Sequence, residues 1–152
     1  MLILVLVIMG SIENKTLAKR FVQEIFNENK FDRLNEFVTP NIKWHGVAED
    51  IEGFDNFKEW LIEDQKTFPD MHISIIDECA EENKASIMWR MKSSQKQEWN
   101  KLPASNEQWE CSGAEFFHFQ DGKIKEAWTM FDALTPALEM GIVEPVKQPM
   151  NK

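Results

Sequence analysis

Tyrosine is absent from this 152-residue sequence, and cysteine occurs only twice, at Cys79 and Cys111. Neither cysteine sits in a Cys-x-x-Cys pair or beside a histidine, which excludes the common zinc-binding patterns. We read them as reduced, packed thiols of a cytoplasmic protein. Clustered positive charge is missing too. Lys plus Arg number 17 against 26 Asp plus Glu, a formal net charge of -9, and no basic run occurs. A nucleic-acid partner needs a cationic surface, so that class is set aside, and the acidity is read as solubility. No apolar run reaches the length that crosses a bilayer, so no membrane partner is expected.

What is present is aromatic: 11 Phe and 6 Trp. Trp combines a large apolar body with one N–H donor and suits both cores and pocket walls. Trp44, Trp89 and Trp109 all fall in strand-like stretches and are candidate ligand-binding residues.

Three segments are expected along the chain. Residues 1–12 form an N-terminal extension opening on "MLILVLVIM", without the positive start or small-residue cleavage site of a secretory signal. It reads as an over-long start with Met9 as the working initiator, as an extra strand, or as a degenerate signal, the first two being preferred. Residues 13–141 form one domain. Residues 142–152, with Pro145 and Pro149, form an irregular tail.

Within the domain, Leu17, Phe21, Val22, Ile25 and Phe26 lie on one helical stripe. A short second helix follows, with Asp32 as N-cap and Pro40 beyond it. "NIKWHGV" is strand-like. Phe57, Trp60, Leu61 and Phe68 mark a third helix that Asp55 can cap and Pro69 ends. After Pro69 the period falls from about 3.6 to 2. Four strands then follow: "MHISIID", "KASIMWRMK", "EQWECSGAEFFHFQ" and "KIKEAWTMF". A short helix begins near Thr135-Pro136 and stops at Gly141. Helices followed by antiparallel strands give an α+β fold with helices on one face of a sheet. Strands such as "SIMWRM" and "AEFFHF" are apolar on both faces, so the other face is expected to pair with a second copy, giving a homodimer through the sheet.

Three stretches in this order resemble the SnoaL-like polyketide cyclase family of the NTF2-like superfamily. They are "ENKTLAKRFVQEIFNENKFDRLNEFVTPNIKWH", "FKEWLIEDQKTFPDMHISIID" and "SGAEFFHFQDGKIKEAWTMFDALTPALEMG". The resemblance implies a cone, in which a curved, mostly antiparallel sheet wraps long helices around a pocket. It also implies ring closure by intramolecular aldol chemistry without metal or cofactor, on a small apolar, carbonyl-bearing molecule of polyketide or steroid type. The cyclase acid falls at Thr129, where this chain departs from the pattern. A helper position falls at Glu115, and a further polar position at Ala127. His45 stands where family members often have a His beside the pocket.

Glu115 and His45 are therefore the candidate catalytic residues. Trp44, Trp89, Trp109, Phe117 and Thr129 are the candidate ligand-binding residues. Asp132 is a helix cap or an alternative acid. Because Thr129 has no carboxylate, the alternative function is a non-catalytic small-ligand-binding or dimerisation module.

Asp121-Gly122 marks a hairpin. The expectation is a three-residue turn pairing Phe119 with Lys123, which places Glu115 and Thr129 on one face. Trp109, Cys111, Glu115, Phe117, Ala127 and Thr129 then face the pocket. Phe116, His118, Ile124, Trp128 and Met130 face the dimer partner.

Overall fold

The computed structural model describes residues 2–46, 49–99, 101–139 and 141–144. In chain order the elements are helix α1 (Leu2–Phe21), a π-helical turn (Val22–Asn27) and a 3-10 turn (Phe31–Glu36). Strands β1 (Val38–His45) and β2 (Asp50–Glu52) come next, then helix α2 (Phe54–Thr67). Strands β3 (His72–Glu81), β4 (Lys84–Ser94), β5 (Gln108–Gln120) and β6 (Lys123–Phe131) complete the sheet, and helix α3 (Leu134–Glu139) closes the chain.

The six strands form one sheet in the order β2-β1-β6-β5-β4-β3. Among the described strands only β1 and β6 run parallel. This is the expected α+β architecture, with the helices lying in the hollow of the sheet. Phe21, Ile25, Phe57 and Leu61 reach from α1, the π-helical turn and α2 onto Trp44, Ile87, Phe117 and Ala127 of the strands, and all are buried. Trp44 is the hub: its ring stacks on Phe57 at 5.0 Å and lies 6.0 Å from Phe21.

Several local expectations are corrected. Residues from Leu2 onward continue α1 as helix rather than adding a strand, because no proline separates the apolar start from the stripe that follows. The tail from Pro145 lies outside the described residues. Asp32 and Asp55 cap nothing. The positions before their helices are Lys30 and Gly53, and Gly53 turns the chain with φ +88°, a left-handed conformation. The short β2, hydrogen-bonded to β1, was not anticipated.

The closing hairpin departs from expectation in an instructive way. Its turn has two residues, Asp121 (φ 51°) and Gly122 (φ 71°), and Gln120 pairs with Lys123. Positive φ at both positions is the type I′ turn that matches strand twist. Taken alone, that register would put Glu115 and Thr129 on opposite faces. A bulge at Lys125 then shifts the pairing by one, so that Phe119 faces Ile124 but His118 faces Glu126. Beyond the bulge Glu115 lies directly opposite Thr129. The two residues share a face as expected, through a bulge and not through the turn. Ile124 lies on the turn side of the bulge and is fully buried, so it does not join the outer face as anticipated.

Candidate functional site

The hollow of the sheet holds a cavity of about 260 Å³. Its walls come from every layer: Trp44 of β1, Trp60 of α2, Trp89 of β4, Trp99 of the β4–β5 loop, Trp109 of β5 and Phe131 of β6. Four carboxyl groups line this space, Glu115 of β5 and Asp64 of α2 in its interior and Glu49 and Glu63 at exposed positions.

Glu115 is only 6% exposed. The indole Nε1 of Trp89 donates to its Oε2, and the Thr129 hydroxyl donates to its Oε1 at 3.3 Å. Burial pushes its titration up from 4.5 to about 8, because a desolvated carboxylate is costly; the two donors pull back only part of that rise. Gly113 makes the Trp89 contact possible. It sits opposite Trp89 in the β4–β5 ladder, and a Cβ there would lie 2.4 Å from Trp89 Cζ2 and 2.6 Å from the Met130 carbonyl oxygen. The absent side chain is the space the indole occupies.

Asp64 was missed by the sequence reading. It is half-buried, and desolvation alone raises it from 3.8 to about 7. Its side chain has no ion pair or hydrogen bond among the described residues. A signal was there: Asp64 lies seven residues after Phe57 and four after Trp60, so it belongs to the apolar stripe of α2. An acid on a core-facing stripe is rarely idle solvent decoration.

His45 does not reach the cavity. Its neighbour Trp44 points inward, so strand alternation sends His45 to the outer face. There its Nδ1 lies 3.0 Å from Asp50 and its Nε2 lies 3.0 Å from Glu126, and the ring stacks on Trp128 at 4.9 Å. The Glu126 hydrogen bond, helped by Asp50 and opposed by burial, holds its pKa above the usual histidine value. Phe117 is also corrected. It shares the inner face but is completely buried behind the wall, edge-on to Phe21 at 6.0 Å, and is core, not lining.

The other candidates keep their places. Trp44, Trp89, Trp109 and Thr129 all line the cavity. The Trp109 Nε1 is buried without a hydrogen-bond partner among the described residues. Asp132 caps α3: its Oδ1 accepts the backbone N–H groups of Leu134 and Thr135 at 3.1 Å each, and its Oδ2 accepts the Thr135 hydroxyl at 2.5 Å. Those bonds, led by the Thr135 hydroxyl, keep its carboxylate below the usual range, which suits a cap and not an acid. Cys111 lies on the inner face, and burial pushes its thiol up to about 12, so it is unreactive. Arg90, a conceivable partner for Glu115, instead pairs with Glu110 at 3.0 Å. No cluster among the described residues has the makings of a metal site.

The profile of the SnoaL-like polyketide cyclase family matches residues 16–139. The chain belongs to this family. Solved structures agree on the NTF2-like fold. A protein from Jannaschia sp. CCS1, assigned as a SnoaL-like polyketide cyclase, superposes with TM-score 0.78 over 90% of this chain and 95% of its own, at 18% identity. A polyketide cyclase assigned in Acidithiobacillus ferrooxidans gives TM-score 0.74 over 87% and 96% at 19% identity. An epoxide hydrolase of the LEH-like type from M. tuberculosis gives 0.68 over 86% and 90% at 13% identity. At such identities the likeness carries the fold alone. No curated protein matches the sequence significantly. Within this SnoaL-like domain no helix among the described residues is long and apolar enough to cross a membrane.

Proposed function

We propose that this SnoaL-like protein is a cofactor-independent enzyme of cyclase or isomerase type, moving protons on a small, apolar, carbonyl-bearing molecule. The observation that carries the reading is a pair of cavity carboxyl groups held near neutral titration by burial, at about 7 for Asp64 and about 8 for Glu115. Near pH 7 such a pair supplies one carboxylate base and one carboxylic acid, the division of labour that general acid–base catalysis needs.

In the proposed step, the Asp64 carboxylate removes a proton from the carbon beside the substrate carbonyl. The Glu115 carboxyl protonates the carbonyl oxygen, and an enol results. Cyclisation follows when the enol carbon attacks a second carbonyl of the same molecule. The new alkoxide takes up the proton held on Asp64, and the first carbonyl re-forms by returning its proton to Glu115. Isomerisation follows when the proton returns to a different carbon. Thr129, at the position where the resemblance places an acid, would orient Glu115 by its hydroxyl.

The test is hydrogen exchange of the substrate in D2O, read by NMR as loss of the α-proton signals of cyclic 1,3-diketones and aryl ketones. Wild-type protein should accelerate exchange. Asp64→Asn should lower the rate about 100-fold or more, Glu115→Gln should lower it too, and His45→Asn should leave it unchanged. Absence of exchange, or an undiminished rate in Asp64→Asn, would overturn the catalytic reading. Ligand binding without exchange would support the second one, a small-ligand-binding module, which the missing acid at position 129 favours.

A homodimer is part of the same proposal. The outer sheet face exposes Met88, Phe116 and Met130, at 49%, 46% and 64%, an apolar surface that a second copy would cover. Phe116→Glu should convert a dimer to a monomer in analytical ultracentrifugation. We place the protein in the cytoplasm, a setting in which the free thiols Cys79 and Cys111 stay reduced.

A further inference from the structure

We propose that the cavity selects a compact apolar molecule bearing a positively charged nitrogen, an alkyl- or arylammonium group, over neutral or anionic molecules of the same shape. The inference rests on the proposed function only in taking this cavity as the ligand site, not on any proton transfer within it.

The charge of the walls is one-sided. Glu115 and Asp64 line the interior, and Glu49 and Glu63 line the cavity at exposed positions. No Lys, Arg or His lines it among the described residues. Among the described residues only Glu63 of the four acids has a cation of its own, Lys66 at 2.5 Å. An anion entering this space would meet carboxyl groups with no counter-charge. A neutral hydrocarbon would leave the Asp64 carboxyl desolvated and uncompensated and would add nothing to the Trp89 and Thr129 donors of Glu115. A cation would satisfy both costs at once.

The apolar walls point the same way. Five of the six indoles in the chain line this one cavity, at Trp44, Trp60, Trp89, Trp99 and Trp109. Trp has the ring face that attracts cations most strongly, and quaternary ammonium groups are held in aromatic cages elsewhere by the same quadrupole attraction. The elevated titrations of Asp64 and Glu115 are consistent with this. Both acids are raised by burial with no cation near them among the described residues, and an ammonium ion placed between them would favour their ionised forms. The volume of about 260 Å³ fits one ring with a trimethylammonium-sized head and lies just below the usual range for drug-sized ligands. The net charge of -9 attracts cations toward the protein from a distance.

The decisive comparison uses three probes of nearly one shape: phenyltrimethylammonium, its uncharged isostere tert-butylbenzene, and benzenesulfonate. Binding is followed by calorimetry and by quenching of Trp fluorescence in 0.3 M NaCl, which screens loose attraction to the acidic surface. Phenyltrimethylammonium should bind about tenfold or more tighter than tert-butylbenzene, and benzenesulfonate should not bind. Asp64→Asn, on a partly exposed helix position that tolerates an isostere, should weaken the ammonium probe about tenfold and leave tert-butylbenzene unchanged. Equal or tighter binding of tert-butylbenzene or the sulfonate would overturn the proposal. Absence of binding by all three, or an Asp64→Asn variant that keeps full ammonium affinity, would overturn it as well. Ammonium selectivity without α-proton exchange would remove the catalytic reading and leave this one intact; exchange with a preference for neutral probes would do the reverse.

Discussion

Replacing Glu115 by Gln should change not so much the stability of this protein as the way stability depends on pH. In the unfolded chain the Glu115 carboxyl titrates near 4.5, and in the folded protein near 8. Between those values the folded state holds a proton that the unfolded state has released. Unfolding therefore becomes easier as pH rises through the interval, and the slope is negative. A single group behaving this way changes the unfolding free energy by on the order of 4 kcal/mol between pH 4.5 and pH 8. Asp64, raised from 3.8 to about 7, slopes in the same direction. His45 does too, because its raised folded pKa adds stability that is complete at low pH and is lost as pH rises through it. Glutamine at position 115 can meet both existing partners, its carbonyl accepting from Trp89 and its amide donating to the Thr129 hydroxyl. Urea denaturation at pH 5, 6, 7, 8 and 9 should thus give a wild-type stability that falls with pH. Glu115→Gln should be close to wild type near pH 5, fall less steeply, and be more stable by a few kcal/mol at pH 8.5. Parallel pH curves for the two proteins would refute the account of Glu115 as a desolvated, protonated acid.

Two further outcomes test the frame around it. Gly113→Ala forces a Cβ into the Trp89 indole and the Met130 carbonyl. It should cost roughly 1–3 kcal/mol by overpacking, lowering Tm by roughly 2–12 °C in calorimetry. Combining it with Trp89→Ala should cost less than the sum of the two single changes; strict additivity would mean the indole is not what fills the glycine's space. Asp132→Ala removes the α3 cap and should cost about 1 kcal/mol in thermal unfolding while leaving α-proton exchange intact; lost exchange would restore Asp132 as an acid.

Much of the fold was legible because the apolar period changes at Pro69 from that of a helix to that of a strand, and each long strand was found close to its observed bounds. The candidate site was only partly legible, for distinct reasons. Trp44 and His45 are adjacent in one strand, so they cannot both face a pocket; strict use of alternation would have sent His45 outward from the start. Asp64 was hidden by its charge, although its place on the α2 stripe marked it as inward-facing. Trp99 rides an irregular loop that no periodicity describes. That loop is held by Gln95, whose Nε2 donates to the carbonyls of Gln97, Leu102 and Pro103. The bulge at Lys125 left no glycine as a marker. It was invisible in sequence even though the face-sharing of Glu115 and Thr129 depends on it.

That bulge divides the closing hairpin into two independently specified parts. On the tip side, pairing is dictated by the Asp121-Gly122 turn; on the cavity side, by the meeting of Glu115 with Thr129. One unpaired lysine is the joint where the two phases are reconciled, much as a vernier links two scales of different origin. The tip is therefore replaceable: a turn of another length can be grafted there if the joint is kept or removed to match. Deleting Lys125 alone, with the tip unchanged, would join the two registers directly and keep Glu115 opposite Thr129, so the joint is dispensable as long as the tip keeps its present length.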